Sequence, residues 1–176
     1  TQDSSSAASD VYKRQIYGAC VFLRMGTTGP TAQAEGSGDQ REILLILLRS
    51  LLIALILGLL LILLQYPLQE LGFTLLNASP EVKIAGKDYF SARILGAPAV
   101  LLNFSLIGWL LGREKSTDVL VLFTINCVSN IILDYFFIVH WDWASTGAGA
   151  ATAVSEYLMS VSYTHLEPTR RALISY

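Results

Sequence analysis

Asn126, Asn130 and Asp134 recur at intervals of four within the largely apolar stretch from residue 117 to 157. On an α-helix a four-residue step overshoots a full turn by only about 40°, so the three polar groups share one face. An ionised carboxylate near the middle of a bilayer costs about 2.5–3.5 kcal/mol or more, so a residue such as Asp134 belongs against a protein-lined cavity and marks an ion or substrate path. Burial disfavours the charged form of a carboxylate, which suits it to loading and releasing a proton. Asn130, one turn earlier, can donate to the carboxylate or accept from the protonated acid, and a sodium ion could use the same oxygens. A seam that merely ties helices together by hydrogen bonds would account for Asn126. It accounts poorly for Asp134, because helix adhesion does not require a titratable group.

The elements that must hold this stripe follow from apolar run length, since a helix needs roughly 20 residues to cross the hydrocarbon. Three runs qualify: Ile43 to Leu64, Tyr89 to Leu111 and Val119 to Val139. The third ends at His140, Trp141, Asp142 and Trp143, where aromatic rings suit the headgroup layer. Two incomplete spans flank them, Ile16 to Gly36 as the later part of a helix and Gly147 to Ser160 as the start of another. Runs this rich in Leu and Ile, without a polar face, would need burial on every side in a soluble protein, which a chain of this size cannot provide three times. The fold class is therefore an all-α polytopic membrane protein. The connections at Ser37–Glu42, Asn77–Asp88 and Gly112–Asp118 are short, so neighbouring spans should be antiparallel. Arg41, Arg49, Arg113 and Lys115 on one side against Lys83, Lys87 and Arg93 on the other decide little about orientation. The absence of a basic residue from Trp141 to Ser145 leans toward the first set being cytoplasmic.

Other residues within the runs have competing explanations. Arg49 and Arg93 lie near helix ends, where the guanidinium can snorkel to the interface. Arg24 should lie deep, and so needs a partner or a water-filled cavity; a structural buried pair is favoured over a site role. Asn103 is a further candidate for cavity lining or helix packing. Pro98 removes a backbone hydrogen bond inside the second span and should kink it. Gly108 and Gly112, in GWLLG, form a small-xxx-small pair suited to close helix approach within the chain.

Composition narrows the function classes. The chain has 176 residues, 53% of them hydrophobic, and a formal net charge of −2. Residues 5–15, SSAASDVYKRQ, and 161–170, VSYTHLEPTR, read as translations of the two strands of a sequencing adapter, so residues 1–15 and 161–176 are expected to be non-native tails around an interior piece, 16–160. That piece keeps eight of the twelve basic and eleven of the fourteen acidic residues, with no basic patch to neutralise phosphates, so nucleic acid is not an expected partner. Cys20 and Cys127 are far apart in sequence and form neither a metal motif nor a disulfide framework. A membrane-embedded enzyme would need a nucleophile with a base, or a metal cluster; His140 and Asp134, six residues apart, do not share a helical face.

FLRMGTTGPTAQAEG at Phe22–Gly36, YFSARILGAPA at Tyr89–Ala99, GWLLG, NIILDY at Asn130–Tyr135 and GAGAATAVSEY at Gly147–Tyr157 together resemble the DinF branch of the multidrug and toxic compound extrusion (MATE) transporters. The resemblance implies part of the amino-terminal six-helix lobe of a twelve-helix protein: the end of helix 2, helices 3 to 5 and the start of helix 6. It places Ser37–Glu42 and Gly112–Asp118 in the cytoplasm. It assigns Asp134 and Asn130 to that lobe's cation site, with H+ or Na+ as coupling ion and no other cofactor or metal. The implied protein is a monomeric multi-pass antiporter of the bacterial cytoplasmic (inner) membrane that exports amphipathic small organic molecules. A flippase for lipid-linked precursors in the same superfamily is the alternative, and would be expected to show a more basic central cavity. Pro30, where the family has an apolar residue, and Glu114 and Lys115, where Gln or Ala is common, depart from the family pattern.

Overall fold

The computed structural model describes residues 21–67, 70 and 80–174, and these are helical almost throughout, without a strand among them. Residues 1–20, among them Cys20 and the first expected tail, lie outside the described residues, as do residues 77–79 of the expected connection between the first two long spans. Helix α1 covers residues 21–37 and runs through Pro30 without a break. A two-residue turn leads to α2, Gln40–Leu63, whose amino terminus is capped by the Asp39 carboxylate accepting the N–H groups of Arg41 and Glu42, each at 3.0 Å. At 24 residues α2 is about 36 Å long, enough to cross a bilayer.

Only Ile43, Ser50, Ala54 and Gly58 of α2 are buried, whereas Leu44, Leu48, Leu52, Ile56 and Leu63 face outward. That is the reverse of a water-soluble helix and fits a lipid-facing one, in which the inner stripe is small so that backbones can approach. Gly58 is where this matters most: a Cβ there would lie 2.5 Å from the Cα of Pro98.

The run from Tyr89 to Leu111 is not a single straight span. It divides into α3, Pro80–Ile94, and α4, Ala97–Gly112, with a bend of 55° between 86–94 and 97–112. Pro98 sits in the first turn of α4 behind Gly96 and cannot donate to the Ile94 carbonyl, so the expected kink becomes a break. Residues 80–88, expected as connection, are the beginning of α3, which has proline at its first helical position. Their polar composition ended the apolar run without ending the helix.

Helix α5, Ser116–Asp134, passes directly into a π-helical segment at Tyr135–His140, and the two together make a 25-residue apolar span. After Trp141–Trp143 the chain returns as α6, Ala144–Ile174, which crosses the boundary expected at Ser160.

Helix α4 is the hub. Its buried residues include Leu101, Asn103, Ser105, Leu106, Trp109 and Leu110. The Ser105 hydroxyl donates to the Ser50 carbonyl of α2 at 3.3 Å, and the Trp109 indole N–H to the Ile43 carbonyl at 3.0 Å. Trp109 also meets the Tyr163 ring of α6 edge-on at 6.1 Å. On a third side Gly108 and Gly112 lie against α1, where added Cβ atoms would come within 2.6 Å of the Arg24 carbonyl and 2.7 Å of the Thr28 carbonyl. The small-xxx-small pair thus serves packing within the chain. Thr27, Thr28 and Thr31 direct their hydroxyls to carbonyls four residues earlier at 2.7–2.8 Å, so α1 presents polar residues at this contact without leaving them unpaired. At the end of the bundle the Arg113 guanidinium bonds Glu35 at 2.9 Å and lies 4.6 Å from the Trp109 ring centre. The α1–α2 and α4–α5 turns therefore share one side, as short antiparallel connections require.

Candidate functional site

Asn126, Asn130 and Asp134 form one stripe on α5, all partly buried, while Leu120, Ile131 and Ile132 of the same helix point outward. The stripe is directed at α6, and one contact fixes the register: the Asn130 amide approaches the Thr152 hydroxyl oxygen at 3.4 Å. That hydroxyl donates to the Ala148 carbonyl at 2.9 Å, which leaves its lone pairs turned toward Asn130. One turn beyond Asn130, one carboxylate oxygen of Asp134 is buried and accepts no hydrogen bond among the described residues. An unpaired buried acceptor is uncommon and costly, and it identifies a position where a proton or cation would be stabilising.

Asp134 is the last residue before the backbone widens. The Trp141 N–H bonds the Phe136 carbonyl, five residues back, at 3.0 Å, and the Trp143 N–H bonds the Phe137 carbonyl at 3.0 Å. The Phe137 ring stacks on Trp141 at 5.3 Å, and Gly147 lets α6 begin directly against Trp143 and the Phe137 carbonyl. Such π-helical turns within α-helices cost hydrogen-bond geometry and occur frequently at functional sites. The sequence offers no periodic signal for one, because aromatic and aliphatic residues follow one another through YFFIVH without a break.

A second polar centre lies across α6. Asn103 of α4 is 4% exposed, and its amide donates both to the Glu156 carboxylate at 2.8 Å and to the Glu156 carbonyl at 2.9 Å. The Asn103 and Asn126 carbonyl oxygens are also buried without a partner among the described residues. Reasoning from the sequence misses Glu156 and Thr152, although Glu156 is an acidic residue in an apolar helix and satisfies the argument applied to Asp134. Its place among small residues points to packing instead.

The other candidates separate from this seam. Arg24 is half-buried on α1 at the contact with Gly108, and no carboxylate pairs with it among the described residues, so the expected buried ion pair is not formed there. Arg49 is exposed, and Arg93 reaches back toward Gly96 at the α3–α4 break. Pro98, Gly108 and Gly112 all act at close helix contacts. No group of three or more His, Cys, Asp or Glu side chains that could hold a metal ion occurs among the described residues.

The sequence and the fold have counterparts among known proteins. DNA damage-inducible protein F of Escherichia coli K12 is 36% identical over 137 residues, covering 78% of this chain and 30% of that protein. Multidrug resistance protein NorM of Aliivibrio fischeri is 26% identical over 165 residues, covering 89% of this chain and 35% of its own length. The chain thus spans about a third of each of these relatives. Among solved structures, the outward-facing conformation of a multidrug resistance MATE family transporter of the MOP superfamily superposes with a TM-score of 0.81 at 22% identity, over 96% of this chain and 37% of that one. The family model described as MatE matches residues 13–136, well over half of the sequence, and the chain therefore belongs to the MatE family of membrane transporters.

Proposed function

We propose that residues 16–160 are part of the amino-terminal lobe of a cation-coupled multidrug efflux antiporter of the bacterial cytoplasmic membrane, in which Asp134 and Asn130 carry the coupling ion, H+ or Na+. The observation that carries this reading is the buried, unpaired carboxylate oxygen of Asp134, at the junction of α5 with the π-helical turn and on the face toward α6. A proton or a sodium ion relieves the same unpaired acceptor, and hard oxygen donors from a carboxylate, an amide and a hydroxyl suit either. Alternating access then couples ion to cargo, provided each binds the inward-open and outward-open states with different affinity; a ligand that binds both equally shifts nothing. The two acidic side chains of the seam, Asp134 and Glu156, support export of organic cations over transfer of phosphate-bearing lipid precursors, which would call for basic groups.

The test is drug accumulation in a pump-deficient bacterial host carrying the complete gene. Wild type should lower ethidium accumulation, and Asp134→Asn should abolish that effect at equal membrane expression. Efflux by Asp134→Asn equal to wild type would remove Asp134 from the coupling step.

A further inference from the structure

We infer that the break between α3 and α4 is a two-position hinge, in which the Tyr157 hydroxyl of α6 is the catch that holds the bent position. The hinge adds a moving part to the transport reading and does not depend on which ion is coupled. The Tyr157 hydroxyl donates to the Leu95 carbonyl at 2.8 Å, inside the break. On either side of it the Gly96 N–H bonds the Arg93 carbonyl and the Val100 N–H bonds the Gly96 carbonyl, each at 3.0 Å. A continuous helix would give the Leu95 carbonyl a different donor, the N–H of Ala99, four residues on. Ala99 lies in the first turn of α4, where N–H groups have no partner within the helix. Straightening therefore exchanges one donor to Leu95 for another, while Pro98 still leaves the Ile94 carbonyl without its helical donor. Each position makes a bond that the other lacks, so the two lie close enough in free energy for one side chain to choose between them.

The contacts on either side of the break decide which part moves. Pro98 is held by α2, since a Cβ at Gly58 would lie 2.5 Å from the Pro98 Cα, and Ser105 and Trp109 tie the rest of α4 to the same helix. Gly96, two residues earlier, rests on α6 instead: a Cβ there would lie 2.9 Å from the Ala153 Cα. Further along α3, a Cβ at Gly149 of α6 would lie 2.6 Å from the Tyr89 carbonyl. Helix α4 therefore stays with α2, while α3 rides on α6 through backbone surfaces at Gly96 and Gly149. The Tyr157 side chain is exposed, so its ring can swing off Leu95 without displacing a packed neighbour. Thr152, which meets Asn130, lies on α6 between Gly149 and Ala153, so the position of α3 bears on the seam that carries Asp134.

The experiment uses the purified full-length protein in lipid nanodiscs, with native cysteines replaced and spin labels at two exposed positions, Leu63 of α2 and Ile84 of α3. Pulsed electron paramagnetic resonance then reads the distribution of distances between them. Tyr157→Phe removes only the hydroxyl, and should shift the ratio of straight to bent forms about fivefold toward the straight one. Pro98→Ala supplies the N–H that the Ile94 carbonyl lacks, and should move the distribution in the same direction by a similar factor. The double variant should move it further than either. A second label pair, Leu63 with Ser116 at the start of α5, spans the α2–α4 body and should keep its wild-type distance throughout. A Leu63–Ile84 distribution in Tyr157→Phe that superimposes on wild type, or an equal change at Leu63–Ser116, would overturn the hinge. Neither result touches the coupling role of Asp134, which the efflux of Asp134→Asn decides separately.

Discussion

Helices α4 and α5 are both apolar and both carry an asparagine whose carbonyl oxygen is buried and unpaired among the described residues, yet they differ in how tightly they pack and in how their other polar groups are bonded. On α4 the polar groups of Ser105 and Trp109 bond the backbone of α2, and glycines admit α1 and α2 at backbone contact. Nearly every side of α4 is occupied, as expected for a helix that other helices are built on. On α5 only Val119 and Leu122 are fully buried, the outer face is open, and the inner stripe keeps unpaired oxygens at Asn126 and Asp134. Close packing with most bonds satisfied characterises a scaffold, whereas unpaired acceptors along a lightly packed helix characterise an element awaiting a ligand. Substitutions that perturb stability should therefore concentrate on α4 and its contacts, and substitutions that perturb transport on α5 and α6.

The largest stability effect should come from bulk at the closest approaches. At Gly58 and Gly108 an added Cβ would already lie 2.5–2.6 Å from the neighbouring backbone, so Gly58→Leu or Gly108→Leu must push the helices apart. A loss of about 3 kcal/mol or more is expected, seen as a steep fall in melting temperature and folded yield of the complete protein. A melting temperature unchanged by both would mean that these helices are not held as described. Trp109→Phe should cost about 1–2 kcal/mol by removing the indole donor to Ile43, with the loss read in thermal unfolding. The Glu35–Arg113 pair is partly exposed, so Glu35→Gln should cost under about 1 kcal/mol, and less still in high salt. A salt-independent loss larger than Trp109→Phe would make that ion pair, and not the indole, the main tie at this end. Asp134→Asn should not destabilise the protein, since its carboxylate oxygen lacks a bond to lose. A large destabilisation there would turn α5 into scaffold and erase the contrast.

Much of this arrangement is legible in residue order, because a membrane imposes a length on apolar runs that water does not. Gln40–Leu63 and Ser116–His140 follow directly from that constraint, as does the disturbance at Pro98. The start of α3 at Pro80 does not, because residues 80–88 are polar enough to resemble a loop while retaining helix-compatible spacing. Helix α6 likewise outlasts its apolar stretch, and Tyr163 beyond the expected boundary packs on Trp109. In the site, the Asn126–Asp134 stripe is legible because four-residue spacing on one helix is a local property. The partners Thr152 and Glu156 depend on how α5 and α6 register against each other, and the π-helical turn depends on tertiary packing around Phe137, neither of which is written in local periodicity.

The central claim is that Asp134 exchanges a coupling ion against cargo. It is tested most directly by following ion release when ethidium is added to the full-length protein, with a pH indicator in weak buffer for protons and radioactive sodium for Na+. Wild type should release one of the two ions on binding ethidium, and Asp134→Asn should bind ethidium and release neither. Release from Asp134→Asn equal to that from wild type would contradict the claim.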